Sequence, residues 1–277
     1  MSTTDFTQFP PIAFIGGGNM ASAIIGGLIR QGVPAERIQV VEPYEPQRAV
    51  LLQQFGIAAL PAADAQLASA QVVVWAVKPQ TFSEAACAVA AYTGHALHLS
   101  VAAGIRSDSI AQWLGNEQII RAMPNTPALV GMGMTALFAR AGVSKAQQQL
   151  AEQIIATTGQ FIWVQQESQL DAVTALSGSG PAYVFYFLEA MVQAGVDMGL
   201  TAQQAHQLAV GTFTGASQLA AQSSESPAVL RERVTSKGGT TFAALESLRS
   251  ANVAAHFITA MKSAEKRATE LGDEFGK

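Results

Sequence analysis

The chain has 277 residues and a net charge of −4, from 16 basic and 20 acidic side chains; 49% of its residues are hydrophobic and only 13% charged. That length accommodates one large domain or two smaller ones with cores of their own, and the charge balance excludes the basic stripe that nucleic-acid binding needs. A single cysteine, Cys87, excludes an intrachain disulfide and fits a reducing compartment.

So little charge, against a usual quarter, points to surface hidden in a partner subunit; the alternative is a compact, alanine-rich monomer. The first ten residues are polar and lack the pattern of a signal peptide. No run of ~18 apolar residues escapes interruption by charge or glycine. The expectation is a soluble, cytoplasmic protein with no membrane role.

In chain order, short apolar runs alternate with amphipathic ones. Candidate strands cover residues 12–15, 38–41, 72–76, 96–101, 119–122, 135–139 and 161–164, with candidate helices at 20–31, 46–55 and 144–157. Strands separated by helices indicate a parallel sheet with crossovers, an α/β arrangement. Val72-Val73-Val74-Trp75-Ala76-Val77 does not alternate, as expected of a strand covered on both faces. Cys87 falls in a helix-like run, 83–92, and reads as a buried structural thiol.

After Glu167 no further β-like run appears. Residues 171–175, 181–199, 202–222, 227–234, 241–248 and 253–271 read as helices. Pro181 suits a first helical position, with Ser179-Gly180 ahead of it, and Gly199 suits a position just past a helix end. Helix 181–199 carries only Glu189 and Asp197 as charges. A helix apolar nearly all round is buried on all sides, and a helical region this small needs a second copy to bury it. The expected division is a dinucleotide-binding domain, 1–166, and an all-α dimerisation and substrate domain, 167–277.

The first candidate strand runs into Gly16-Gly17-Gly18-Asn19-Met20-Ala21, a Gly-x-Gly-x-x-Ala pattern that opens a helix. Gly16 makes the turn, Gly18 lets a pyrophosphate approach, and Ala21 permits close helix–strand packing. Glu42 ends the second strand, where a carboxylate accepts hydrogen bonds from an adenosine ribose and repels a 2′-phosphate; the alternative is a solvent-facing strand end. Arg48 is either a partner for that phosphate or an exposed helix arginine. Val77-Lys78-Pro79 follows a buried strand, at the sheet edge that lines a ligand crevice. Lys78 is there to flank a nicotinamide or its phosphates, or is a solvated loop lysine. Met123-Pro124-Asn125-Thr126-Pro127 follows another strand, with Asn125 offering donor and acceptor or serving a rigid turn.

Val234-Thr235-Ser236-Lys237-Gly238-Gly239-Thr240-Thr241-Phe242 packs five hydrogen-bonding side chains and two glycines into the mouth of a helix. Glycines admit a ligand close to the backbone, and the free N–H groups at a helix start suit an anion such as a carboxylate. A cofactor motif at one end and an anion loop at the other indicate a two-substrate enzyme. The four histidines, His95, His98, His206 and His256, are scattered without ligand spacing, so no metal is expected. Ser177-Gly178-Ser179-Gly180 lacks the strand a nucleophile elbow requires and reads as a hinge or helix cap.

Together these motifs, with Ser100-Val101-Ala102-Ala103-Gly104 and Ala175-Leu176-Ser177-Gly178-Ser179-Gly180-Pro181-Ala182-Tyr183, resemble the Δ1-pyrroline-5-carboxylate reductase family nearly end to end. The resemblance implies a doubly wound Rossmann domain followed by a helical dimerisation domain, and reduction of a cyclic imine to L-proline with NADPH or NADH. It implies intertwined dimers that often assemble as decamers of five dimers. It places Gly16, Gly18, Asn19, Met20, Ala21, Glu42, Val77, Lys78, Pro79, Ala103 and Asn125 at the cofactor. It places Ser236, Gly238, Gly239 and Thr240 at the substrate carboxylate, and Thr241 at the imine nitrogen. Glu42 departs from the family's usual phosphate-accepting residues, which puts the NADPH preference in doubt. Lys237 stands where proline or asparagine is common.

Imine reduction also needs a proton on nitrogen, and the loop offers no His, Asp or Glu. The substrate therefore enters as iminium or takes its proton through water, with Thr241 orienting the nitrogen; for Thr240 and Thr241 the alternative role is helix capping. Among rival readings, a β-hydroxyacid dehydrogenase would need a lysine on the second domain's central helix, and none occurs between Lys145 and Lys237. A reductase for a related cyclic imine acid, or a non-catalytic dinucleotide-binding regulator, remains open at this stage.

Overall fold

The computed structural model describes residues 6–276. One sheet holds β1 (Ile12–Ile15), β2 (Ile38–Val41), β3 (Val72–Trp75), β4 (Leu97–Ser100), β5 (Ile119–Met123), β6 (Gly133–Ala139) and β7 (Gly159–Trp163). Their spatial order is β2-β1-β3-β4-β5-β6-β7. Period-two alternation sends Ile12, Phe14, Val72 and Val74 to one face and Ala13, Ile15, Val73 and Trp75 to the other. The first face is covered by α1 (Asn19–Arg30), α2 (Glu45–Phe55) and α5 (Lys145–Ala156), the second by α3 (Pro79–Thr93) and α4 (Ser107–Leu114). With both faces apolar, the strands read as continuous hydrophobic runs.

Two expectations are corrected in this part. Every neighbouring pair is parallel except β5 and β6, which run antiparallel with Ile120 opposite Ala139. Their link, residues 124–132, is shorter than the dozen or more residues a parallel crossover takes, and it folds as a 3-10 turn, Thr126–Val130. Cys87 is exposed, not buried. The buried stripe of α3 runs through Phe82, Ala86, Val89 and Thr93, and Cys87 sits one position off it, a 100° rotation toward solvent.

The rest of the chain is helical: α6 (Gln169–Val173), a π turn (Thr174–Gly178), α7 (Gly180–Asp197), α8 (Ala202–Gln222), α9 (Pro227–Arg233), α10 (Thr240–Ser250) and α11 (Val253–Phe275). The expected hinge or cap at Ser177-Gly178-Ser179-Gly180 falls where the π turn ends: Ser179 is its C-cap residue, its N–H donating to Thr174 O at 2.8 Å, and α7 starts at Gly180. Pro181 is the second residue of α7. Gly199 ends that helix region at φ +97°, the left-handed conformation expected of it.

The described residues form two compact units. One comprises those up to Ser179 together with those from Ala264 on; the other is Gly180–Ser263. In the second unit α7 buries only Gly195 and exposes Val184, Phe185, Tyr186, Met191 and Val196. An apolar surface on this scale marks an association face. Among the described residues no helix is long and apolar enough to cross a membrane.

Within the first unit a cluster of charges joins sheet and helices. Arg121 on β5, 5% exposed, donates to Glu167 at 2.7 Å. Glu167 also accepts from Ser107 N–H and Oγ, both at 2.6 Å. Arg106 pairs in a fork with Asp171 at 3.1 and 3.0 Å, and Thr269 of α11 donates to the same carboxylate at 3.2 Å. Burial lowers the Arg121 pKa and the Glu167 charge opposes that shift.

A second buried polar group has no part in any site. Trp75 Nε1 donates to His98 Nδ1 at 3.1 Å, so Nε2 carries the imidazole hydrogen and donates to Thr93 O at 3.2 Å. Burial lowers the His98 pKa to about 4. The unfolded state protonates near the ordinary value and the folded state only near 4, so between these values the unfolded chain binds the extra proton and stability falls as pH falls. The loss attributable to His98 across that window is roughly 3 kcal/mol. NMR titration is expected to show His98 neutral down to about pH 5; an imidazole titrating near 6.5 would contradict the tautomer assigned here.

Candidate active site

The order in which strands are added reverses between β1 and β3, which run parallel, and this is the switch point at which doubly wound sheets bind ligands. Gly16 leaves β1 at φ +91°, and a Cβ there would lie 2.6 Å from Ala76 O, beyond the end of β3. Only glycine meets both demands. Gly17 is held at both peptide groups: its N–H donates to Glu42 Oε2 at 2.8 Å, and its carbonyl accepts from Gln47 Nε2 at 2.6 Å. Gly18 is the N-cap of α1, with no side-chain cap bond. A Cβ added to Gly18 would meet nothing within 4 Å. Together these leave a cradle of helix N–H groups open to a pyrophosphate. Ala21, fully buried, packs α1 against the sheet.

Glu42 is placed at this loop, with both carboxylate oxygens engaged: Oε2 by Gly17, and Oε1 by Tyr44 N–H at 2.9 Å. Arg48 reaches back to the carbonyls of Glu42 and Pro43 at 3.0 and 2.7 Å. Val77 and Lys78 follow β3, Lys78 exposed as the N-cap of α3 and Pro79 its first residue. Ala103 lies in the turn after β4 beside Gly104, whose φ is +73°. Asn125 follows β5; its Oδ1 accepts from Met134 N–H at 2.9 Å and its Nδ2 donates to Ser177 O at 3.1 Å. The ends of β1, β3, β4 and β5 thus gather the predicted cofactor residues along one sheet edge. Gln47 belongs to this group and escaped the sequence reading, because an amide on a helix face carries no motif signal.

In the second unit the anion loop precedes α10. Gly238 has φ +73°, and Gly239 is the N-cap of α10 without a side-chain cap bond. A Cβ on Gly239 would lie 2.5 Å from Ser236 Oγ, so its absence lets the Ser236 hydroxyl fold onto the helix mouth. Gly239 N–H closes the turn on Ser236 O at 3.0 Å. Thr240 and Thr241 are the first two residues of the helix and neither caps it, which removes capping as the reason for the pair. Among the described residues no group of His, Cys, Asp and Glu has the arrangement of a metal site.

Gly18 has open space beside it and an ordinary φ of −68°, so Gly18→Val is expected to fold yet lose dinucleotide binding, while Gly16→Ala is expected to be strained as well. A titration with NADPH or NADH beside a thermal melt separates the two. Unchanged affinity in Gly18→Val would make that glycine a turn residue only.

Residues 167–271 match the family model for pyrroline-5-carboxylate reductase dimerisation, and residues 11–104 match that for NADP oxidoreductase, coenzyme F420-dependent. The pyrroline-5-carboxylate reductase of Pseudomonas aeruginosa is 44% identical over 97% of this chain and 99% of its own length. That of Glycine max is 36% identical over 94% and 95%. A solved pyrroline-5-carboxylate reductase from Coxiella burnetii, 40% identical, superposes with a TM-score of 0.87 over 95% of this chain and 99% of that one. The chain belongs to the pyrroline-5-carboxylate reductase family.

Proposed function

We propose that this chain reduces Δ1-pyrroline-5-carboxylate to L-proline, using NADPH or NADH, through the two glycine loops described above. The reading is supported by one observation: two helices, α1 and α10, each begin at a glycine with no side-chain cap bond, which suits an anion, a pyrophosphate at Gly18 and a carboxylate at Gly239. The cofactor, bound along Gly16, Gly18, Asn19, Met20, Ala21, Val77, Lys78, Pro79 and Ala103, supplies the hydride. Ser236, Gly238, Gly239 and Thr240 hold the substrate carboxylate. Thr241, in the first turn of α10, accepts or donates one hydrogen bond at the imine nitrogen and fixes its orientation. A hydroxyl is a poor acid, so the nitrogen proton arrives with the iminium or through water. Holding the reacting carbon in place and excluding bulk water provide the remaining acceleration.

The exposed apolar face of α7 and the dimerisation family of residues 167–271 make the protein a homo-oligomer. We assign it a dimer in which α7 is covered by a second copy, with five dimers as the larger assembly. The single, exposed cysteine is in keeping with a cytoplasmic location.

NAD(P)H oxidation with pyrroline-5-carboxylate tests the activity. In the same assay Thr241→Ala is expected to lower kcat while cofactor affinity stays nearly unchanged. One oriented hydrogen bond contributes ~1–3 kcal/mol, roughly ten- to a hundredfold in rate. Wild-type kcat in that variant would remove Thr241 from the reaction.

The Glu42 charge, fixed at the mouth of the loop by two backbone N–H donors, repels a 2′-phosphate brought within ~4–6 Å. Both cofactors are therefore expected to work, with NADH used better than is usual for the family. Glu42→Ser should raise kcat/KM for NADPH relative to NADH. A ratio that does not move would assign the preference to another group, Arg48 first.

A further inference from the structure

Asn125 was singled out in the sequence as a cofactor ligand, but its hydrogen bonds point elsewhere. Its Oδ1 takes the N–H of Met134 at the start of β6, and its Nδ2 serves the carbonyl of Ser177 in the π turn. That carbonyl is a special one. In a regular helix the N–H of the residue four places on would bond to it, and that residue is Pro181, which has none. A half-buried carbonyl without a donor is costly, and Asn125 supplies the donor from outside the helix. On the same turn a Cβ at Gly178 would lie 2.5 Å from Met123 Cε, so the π turn packs against the last residue of β5, two positions before Asn125.

Resting on the reductase reading above, we infer that Asn125 is a positioning residue rather than a cofactor ligand: it latches the loop after β5 to the π turn Thr174–Gly178 and thereby sets the nicotinamide side of the crevice. β5 lies on the β3–β4 side of the switch point, away from β2 and Glu42, so this loop borders the half of the cofactor that reacts. The π turn has a function in this arrangement. Its extra residue and the proline after it expose one backbone acceptor, and that acceptor is the latch point. π turns recur at functional sites for such reasons.

The test uses the full-length enzyme and the chemistry of Asn125→Asp. Ionised, the aspartate still accepts from Met134 N–H but sets a negative oxygen against Ser177 O. Protonated, it is nearly isosteric with the amide and can donate its O–H to Ser177. At neutral pH the variant is expected to lose ten- to a hundredfold in kcat with NADPH Kd, measured by fluorescence quenching without turnover, within threefold of wild type. The ratio of its kcat to wild type at the same pH should rise as pH falls toward 5, and Asn125→Ala should show the loss without the recovery. A purely structural asparagine would lower the melting temperature and leave that ratio independent of pH, which overturns the latch. A direct cofactor contact would weaken NADPH binding in step with kcat, which overturns it as well. Because NADPH binding is read separately, a wild type that binds dinucleotide yet does not turn over pyrroline-5-carboxylate would refute the substrate assignment instead.

Discussion

Four ionised side chains set how the helical part of the first unit meets the sheet. Glu167 and Asp171 stand four residues apart, and Asp171 lies on α6; Glu167 faces Arg121 and Asp171 faces Arg106. Charges this largely buried are held in place by pairing and hydrogen bonding. Each carboxylate therefore has one acceptable place. The consequence spreads along the chain. Arg106 is the N-cap residue of α4, two positions after Gly104 in the segment that leaves β4. Gly272 of α11 has no side chain because the Arg106 guanidinium occupies that space, with Nε 2.5 Å from where a Cβ would be. Thr269 adds its hydroxyl to Asp171. The segment that leaves the sheet and the helix that returns to it are thus fixed by the same pair. Arg121 is the most buried of the four, and removing Glu167 would leave that charge uncompensated, at a cost of up to about 3–5 kcal/mol.

Most of the sheet was legible because its physics is local. Val72 to Trp75 is apolar at every position since helices cover both faces, and the Gly16–Ala21 run encodes a turn, an approach and a packing contact at fixed offsets. Both glycine loops, as turns opening helices, were readable for the same reason, each being contiguous in sequence. What stayed hidden was non-local or depended on a rotation of one residue. The antiparallel β5–β6 pair follows from the length of a link, which periodicity does not weigh. Cys87 was misplaced by a single helical position. The pairing of Arg121 with Glu167 spans 46 residues and leaves no pattern, since each residue alone reads as a surface charge.

The π turn shows how a motif can be recognised while its meaning is missed. Ser177-Gly178-Ser179-Gly180-Pro181 suggested a break because glycine and proline interrupt helices. The chain instead keeps helical hydrogen bonding by closing one turn over five residues, Ser179 to Thr174. Pro181 withholds the N–H that a regular helix would offer the Ser177 carbonyl, and that carbonyl is then used by Asn125. Local propensity indicated the place of the irregularity correctly; only the tertiary contact gives its purpose.

The two glycine loops solve one electrostatic problem in different ways. Helices α5, α8 and α9 are capped by Ser144, Thr201 and Ser226, whose oxygens satisfy the first free N–H groups. Lack of a cap marks nothing by itself, since α2, α3 and α4 have none either. What sets α1 and α10 apart is glycine at the N-cap position, so that no side chain stands between the donors and an arriving anion. At Gly18 the vacated space is open, as close backbone approach of a pyrophosphate requires. At Gly239 the space is taken by the Ser236 hydroxyl, which adds a directional donor to the helix mouth. A diphosphate needs room along a loop, whereas a small carboxylate needs a fixed orientation so that the ring attached to it presents one carbon for reduction. The open space at Gly18 suits the first need and the Ser236 hydroxyl beside Gly239 suits the second, in keeping with the proposed roles of the two loops.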